Sequence, residues 1–304
     1  MRMRLKQELF LQANITMLKN DIPNSVTIVR TISDLRNILK IWRNDNLNVG
    51  LVPTMGALHE GHFSLIKKSL SLSDRTIVTL FVNPKQFGTN EDFHKYPADE
   101  LTDIRALEGL SVDVIFVPST EEMYPTDNIT NISLPDIGDL LEGIFRPGFF
   151  NGVATVVCKL FMISSPDRAF FGEKDYQQLI IIEKMAQDLN IPVEIVGCPI
   201  IRAKDGLALS SRNVYLSDNE RLLAPLLYKV LNEILDDAKN GKQFTKILNN
   251  AKLKLLNSGF TKIDYLKICD NKNLKELSNF SPNARVLVAA WIGNTRLIDN
   301  IEVK

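Results

Sequence analysis

The feature that most limits how this 304-residue chain can fold is a run of short apolar segments alternating with amphipathic ones over about 170 residues. The stretch Thr76-Ile77-Val78-Thr79-Leu80-Phe81-Val82 is almost continuously apolar, the pattern of a strand covered on both faces of a parallel sheet. Val26-Thr27-Ile28-Val29, Val49-Gly50-Leu51-Val52 and the segments 113–117, 168–171 and 193–197 read as further strands. Between them Ile32, Leu35, Ile38, Leu39 and Trp42 recur at helical spacing, and 63–72, 99–109, 152–164 and 176–189 read as helices. Strands alternating with helices predict βαβ units and a doubly wound, Rossmann-like parallel sheet.

After Ser211 the rhythm changes. Ser217-Asp218-Asn219-Glu220 is a capping box that opens a long helical stretch to about Lys239. A second helix over 243–257 and strands over 262–268 and 285–292 complete a smaller α+β domain. The expected division is an N-terminal extension over 1–24, with Met17 as an alternative start, a Rossmann-like domain over 25–200 and the smaller domain over 201–304.

Composition removes several functions. Lys plus Arg and Asp plus Glu are 36 each, so the net charge is zero, without the basic excess of a nucleic-acid binder. Mean hydropathy is −0.03, and no uncharged apolar run approaches the ~18 residues of a membrane span. Cys158, Cys198 and Cys269 are odd in number and widely spaced, which suits neither a disulfide framework nor a zinc cluster. The charged start lacks an apolar core with a cleavage site, so the chain reads as a reduced, cytoplasmic protein.

The chemistry points to Val49-Gly50-Leu51-Val52-Pro53-Thr54-Met55-Gly56-Ala57-Leu58-His59-Glu60-Gly61-His62: a strand, a glycine-containing loop, then a helix start. Ligands of open α/β sheets bind beyond the carboxyl ends of the strands, where helix N-termini offer N–H groups to anions. Two of the chain's three histidines lie in this loop, where imidazoles can donate to phosphate. A lone histidine at a helix start is more often structural; a pair in a glycine loop after a buried strand is not. Gly56 to Gly61 has P-loop glycine spacing, but His62-Phe63 stands where Lys and Ser/Thr are needed, and no G-x-G-x-x-G occurs.

His59-Glu60-Gly61-His62 resembles the H-x-G-H signature of the nucleotidyltransferase superfamily, and the longer string from Pro53 to His62 resembles the pantoate–β-alanine ligase family. Four more segments agree in order: Phe81-Val82-Asn83-Pro84-Lys85-Gln86-Phe87; Leu141-Glu142-Gly143 with Arg146-Pro147; Phe171-Gly172-Glu173-Lys174-Asp175-Tyr176-Gln177-Gln178; and Asp205-Gly206-Leu207-Ala208-Leu209-Ser210-Ser211-Arg212-Asn213. The resemblance implies that ATP and pantoate form pantoyl adenylate and pyrophosphate, and that β-alanine then attacks to give pantothenate and AMP. It also implies Mg²⁺ and a homodimer, with no nucleic acid or membrane as partner.

The same resemblance implies roles for residues. His59, His62 and Lys174 would be catalytic, with His62 at the position of the family's proton donor. Met55, Gly56, Ala57, Leu58, Glu60, Gly61, Gly172, Glu173, Asp175, Ile201 and Leu209 would join them around ATP, together with Ser210, Ser211 and Arg212 as a phosphate loop at a hinge between the domains. The smaller domain would be a lid. Gln86, Gln178 and Asn83 would meet pantoate, and neutral amides suit its hydroxyls. Taken singly, Lys174 or either glutamine would be an ordinary surface residue.

The chain departs from the family pattern at Leu209 (commonly Met), Phe149 (commonly His) and Ala98 (commonly Arg after Tyr96-Pro97). Asp103 aligns with an acidic position associated with Mg²⁺, but no protein metal ligand is assigned. Two other readings share the motif. One is a nucleotidyltransferase acting on a phosphorylated substrate, which would call for further Arg or Lys near the pocket. The other is a non-enzymatic nucleotide-binding protein, which the intact His59, His62, Lys174 and Ser210–Arg212 set argues against.

Overall fold

A computed structural model describes residues 26–303 except 89, 90, 92, 280 and 282. The expected extension over 1–24 and the start at Met17 lie outside these residues. Six strands form one parallel sheet: β1 (Thr27–Val29), β2 (Val49–Thr54), β3 (Arg75–Leu80), β4 (Val114–Phe116), β5 (Arg168–Gly172) and β6 (Glu194–Cys198), in the order β1-β4-β3-β2-β5-β6. Chain order reverses between β2 and β5, and that switch point opens a crevice beyond their carboxyl ends.

Helices α1 (Ile32–Asn44), α2 (Glu60–Leu72), α3 (Glu100–Glu108), the short α4 (Thr120–Met123) and α5 (Glu142–Phe145), α6 (Phe149–Ser164) and α7 (Tyr176–Asp188) accompany the sheet. Leu65 and Ile66 of α2 and Ile104 and Leu107 of α3 bury one face against Val78 and Ile115. Leu35 and Leu39 of α1, Val153 and Leu160 of α6 and Ile181 and Ile182 of α7 bury the other. Both faces are covered, which is why Ile77 and Val78, neighbours that point opposite ways, are each fully buried.

The later part holds α8 (Asp218–Leu223), α9 (Leu226–Lys239), α10 (Phe244–Asn257) and an antiparallel sheet of β7 (Lys262–Asp270), β8 (Ala284–Ile292) and β9 (Thr295–Glu302). In β8 the side chains alternate between two cores. Val286, Val288 and Ala290 join α9 and α10, whereas Leu287 and Ala289 join the core of α6 and α7. Among the described residues no helix is long and apolar enough to cross a membrane, and the three cysteines are unpaired.

Several boundaries differ from the sequence reading for physical reasons. Helix α2 begins at Glu60 rather than 63, because His59 and His62 form a capping box with the backbone. Strand β2 runs on through Pro53 to Thr54, and β3 covers 75–80 rather than 76–82. Helix α6 starts at Phe149 rather than 152, after Gly148 turns with φ +80°. The single helix expected from 217 to 239 is two, divided at Pro225, which has no N–H to continue the ladder. Strand β9 has no counterpart in the sequence reading.

Candidate active site

The loop between β2 and α2 is held from within. Thr54 Oγ1 donates to the Thr79 carbonyl at 2.6 Å and accepts the Gly56 amide at 3.2 Å. Gly56 and Ala57 then take φ of +80° and +53°, a left-handed pair that only glycine adopts without strain. Asp103 on α3, 4% exposed, reaches across and accepts the Ala57 and Leu58 amides, each at 2.8 Å. Burial pushes the Asp103 carboxyl up from the ordinary range, and the two N–H donors pull it back.

The His59 amide donates to Nδ1 of His62 at 3.3 Å, and the Gly61 amide donates to Nδ1 of His59 at 3.1 Å. The amides of Gly56, Ala57, Leu58, His59 and Gly61 are thus all engaged inside the protein, which corrects the expectation that the loop would offer its N–H groups to an anion. What it offers instead is two imidazoles. A backbone N–H can only donate, so Nδ1 of each ring is the bare nitrogen and Nε2 carries the proton. The rings lie 4.2 Å apart. Burial above all, with Lys174 adding its charge, lowers His59 to about 4. Burial, His59 and Lys174 lower His62 to about 3. At neutral pH the pair is uncharged, with two Nε2–H donors.

Across the switch point, β5 ends at Gly172 and a single 3-10 turn, Glu173–Asp175, leads into α7. Lys174 and Asp175 are on this turn, their charged groups 3.8 Å apart. A third segment closes the crevice: Ser211 Oγ donates to the Ala57 carbonyl at 3.0 Å, and Ser210 Oγ accepts the Arg212 amide at 3.4 Å. The Leu209 amide donates to the Ile201 carbonyl at 3.0 Å, which ties that loop to the segment following β6.

These segments surround one cavity of about 650 Å³, a size suited to a cofactor-sized ligand. Met55, His59, Gly61 and His62 line it, as do Gly172, Lys174 and Asp175, and so do Ile201, Leu209 and Ser210–Arg212. Gly56, Ala57, Leu58, Glu60 and Glu173 do not. Gly56, Ala57 and Leu58 shape the loop from behind, Glu60 is exposed at the start of α2, and Glu173 turns toward Arg285 at 3.3 Å.

Gln86, Gln178 and Asn83 line the same cavity. Asn83, only 1% exposed, uses its amide internally: it donates to Gln86 Oε1 at 2.9 Å and the Gly152 carbonyl at 3.1 Å, and accepts from Tyr124 Oη at 2.9 Å. Its geometry orients Gln86, whose Nε2 lies 3.1 Å from the Met55 sulfur. The loop lies directly on α6, where a Cβ at Gly152 would fall 2.1 Å from the Lys85 carbonyl oxygen. Of the two adjacent glutamines, Gln177 is a staple: it donates to the carbonyls of Ile137 and Leu140 at 2.9 and 2.8 Å and accepts the Glu142 amide at 3.0 Å. Phe149, at the departure from the family's histidine, carries the Arg146 guanidinium 3.6 Å over its ring.

Sequence reasoning missed a buried network on this side. Glu142 meets Arg296 at 2.6 Å and the Tyr265 hydroxyl at 2.7 Å, and Arg296 also holds Asp264 at 2.7 Å. These residues join α5 to the three-stranded sheet. The sequence signal for them is no more than Glu142, Asp264 and Arg296 among other charged and polar residues, with no spacing that pairs them.

A doubly wound sheet with neutral imidazoles, a lysine and hydroxyls gathered at its switch point defines an α/β enzyme with a cleft for an anionic substrate. The pantoate-beta-alanine ligase family model matches residues 27–302. The chain is 46% identical over 279 residues to pantothenate synthetase of Roseobacter denitrificans, covering 92% of this chain and 98% of that one. It is 48% identical over 283 residues to that of Clostridium botulinum, covering 92% and 100%. The crystal structure of pantothenate synthetase from Thermus thermophilus superposes with a TM-score of 0.86 at 43% identity, covering 91% of this chain and 99% of that one. The pantoate-beta-alanine ligase from Francisella tularensis, complexed with beta-gamma ATP and β-alanine, superposes at 0.77 with 37% identity, covering 92% and 98%. The chain belongs to the pantoate-beta-alanine ligase family, and it is an enzyme that joins an acid to an amine.

Proposed function

We propose that this cleft condenses pantoate with β-alanine at the expense of ATP, in two steps. The pantoate carboxylate attacks the α-phosphorus of ATP, forming the mixed anhydride pantoyl adenylate and expelling pyrophosphate. The β-alanine amine then attacks the acyl carbon, AMP departs, and the surplus amine proton passes to solvent. In the first step charge builds on phosphate oxygens, so catalysis is mainly positioning and electrostatic stabilisation.

The residues divide the work accordingly. His59 and His62, with Nδ1 occupied by backbone, present Nε2–H donors to the triphosphate. In the ligand-free protein His62 is depressed to about 3, so it meets the triphosphate as a neutral hydrogen-bond donor, to which the phosphate charge can then add a proton. Lys174 is the compact cation for the phosphates, Asp175 accepts from a ribose hydroxyl, and Ser210, Ser211 and Arg212 close over the phosphates. Gln86 and Gln178 bind pantoate, with Asn83 holding Gln86 in place. The observation that carries this reading is the hydrogen bond from Ser211 to Ala57, which joins the serine loop to the histidine loop around the cavity that Lys174 also lines.

The division into a catalytic domain over 25–200 and a lid over 201–304 belongs to the same proposal, as do a homodimer and a cytoplasmic location. Mg²⁺ fits as the partner of ATP rather than as a resident of the protein. Asp103 already accepts two amides, and among the described residues no three of His, Cys, Asp and Glu form a metal-binding group. The ion would therefore be held by phosphate oxygens and water, where it would neutralise phosphate charge.

The test is AMP formation with ATP, pantoate and β-alanine, together with pyrophosphate release when β-alanine is omitted. The His62→Ala variant should slow pyrophosphate release by about 10²–10³. No AMP from the wild type, or turnover only with a phosphorylated acceptor, would replace the reading with that of a different nucleotidyltransferase.

A further inference from the structure

Lys174 sits on a turn of only three residues, Glu173–Asp175, whose N-cap Gly172 supplies no side-chain bond. What steadies that turn comes from the other end of the chain. Asn300 on β9, 2% exposed, donates one amide hydrogen to the Glu173 carbonyl at 2.9 Å and the other to the Lys174 carbonyl at 3.0 Å. Its Oδ1 accepts from Arg285 Nη1 at 2.6 Å. Arginine has no acceptor, so that contact decides which end of the amide is oxygen and aims both N–H groups at the turn.

The support behind Asn300 is itself fixed. Arg285 lies on β8, diagonal to Asn300, which pairs with Leu287 in the sheet register. Its guanidinium stacks 3.8 Å over Tyr176, the first residue of α7, and its Nη2 is 3.3 Å from Glu173 Oε2. The turn is therefore gripped at two successive carbonyls, one carboxylate and the following ring, all by residues of the small sheet. On the opposite side of β9, Asp299 locks to Arg202 through bonds of 2.6 and 2.8 Å. The strand has little freedom to shift.

We propose that Asn300, oriented by Arg285, is a positioning residue for the ATP-dependent step: it sets the backbone of Lys174 so that the ammonium meets the phosphates. This rests on the reading of Lys174 as the phosphate-contacting cation. It gives the C-terminal sheet a part in the first half-reaction that requires no direct contact with nucleotide. Lysine has a flexible four-carbon stem, so the location of its charge depends on where its Cα is held. A displacement of about 1 Å is worth on the order of a hundredfold in rate.

The test is a double-mutant cycle. Asn300→Asp keeps the size and the Arg285 contact but turns an acceptor toward two carbonyls. It should lower kcat/KM for ATP by roughly ten- to a hundredfold while leaving KM for pantoate within about twofold of the wild type. In a Lys174→Ala background the same substitution should lower the residual kcat/KM for ATP almost no further, because the group it positions is gone. Asn300→Ser, smaller and uncharged, carries the same cycle if Asn300→Asp does not fold. Equal losses in both backgrounds, or no loss in either, overturn the positioning role. A Lys174→Ala protein that binds ATP and releases pyrophosphate like the wild type removes the lysine reading itself, which is a separate result.

Discussion

His62 accepts the His59 amide on Nδ1 at 3.3 Å, so one histidine of the pair dictates which nitrogen of the other holds its proton. The bond ties protonation to helix capping, and it gives a pH dependence of known sign. Both imidazoles are depressed, to about 4 and about 3, chiefly by burial. The unfolded chain takes up protons near pH 6.5, the folded one only well below it. The contribution of the pair is therefore complete above about pH 6.5 and is lost as pH falls toward 4. Neither ring should titrate between about pH 5 and 8 in NMR spectra of the ligand-free protein. Urea unfolding of the wild type should lose more stability from pH 7 to pH 5 than that of a His59→Gln/His62→Gln variant, and identical losses would refute the assignment.

Asp103 is predicted to act as the anchor of the histidine loop. Asn at this position keeps one acceptor but turns an NH₂ toward the second backbone amide. Leaving a buried donor unpaired costs about 1–3 kcal/mol, so Asp103→Asn should lower Tm by about 2–10 °C. KM for ATP should rise with it. Were Asp103 instead a metal ligand, the variant would keep its Tm and shift only the Mg²⁺ concentration needed for activity.

The Glu142–Arg296 pair makes a prediction about stability. Their side chains are 8% and 14% exposed, and among the described residues the Glu142 carboxylate has besides only the Tyr265 hydroxyl. Removing the cation strands a buried carboxylate, which costs roughly 3–5 kcal/mol. Arg296→Met should show that loss in guanidinium unfolding at pH 7, and Glu142→Gln in the same chain should recover part of it. A single variant as stable as the wild type would show the network to be open to water.

The parallel sheet was legible because Val49 to Val52 and Ile77 to Leu80 are apolar on both faces, a pattern few other folds need. The histidine loop was legible because two of three histidines share it. Strand β9 was hidden by its own chemistry: Asp299 and Asn300 are buried but paired across to Arg202, Arg285 and the Lys174 turn, so its pattern reads as polar. Asp103 was seen only as an acidic position of the family pattern, since no spacing reveals that its partners are amides 45 and 46 residues away. Spacing alone does not tell Gln177 from Gln178: both line the cavity, and only the backbone bonds of Gln177 to Ile137, Leu140 and Glu142 mark it as the staple.

Gly152 draws helix α6 against the Lys85 carbonyl with no space for even a methyl group. The two surfaces meet as bare backbone, so neither can slide or swell without the other, and the recess beside Gln86 inherits the stiffness of a sixteen-residue helix. On the proposed placement of pantoate beside Gln86, selectivity for a small acid comes from a wall that cannot yield. Evolution can relax it only by first rebuilding the main chain.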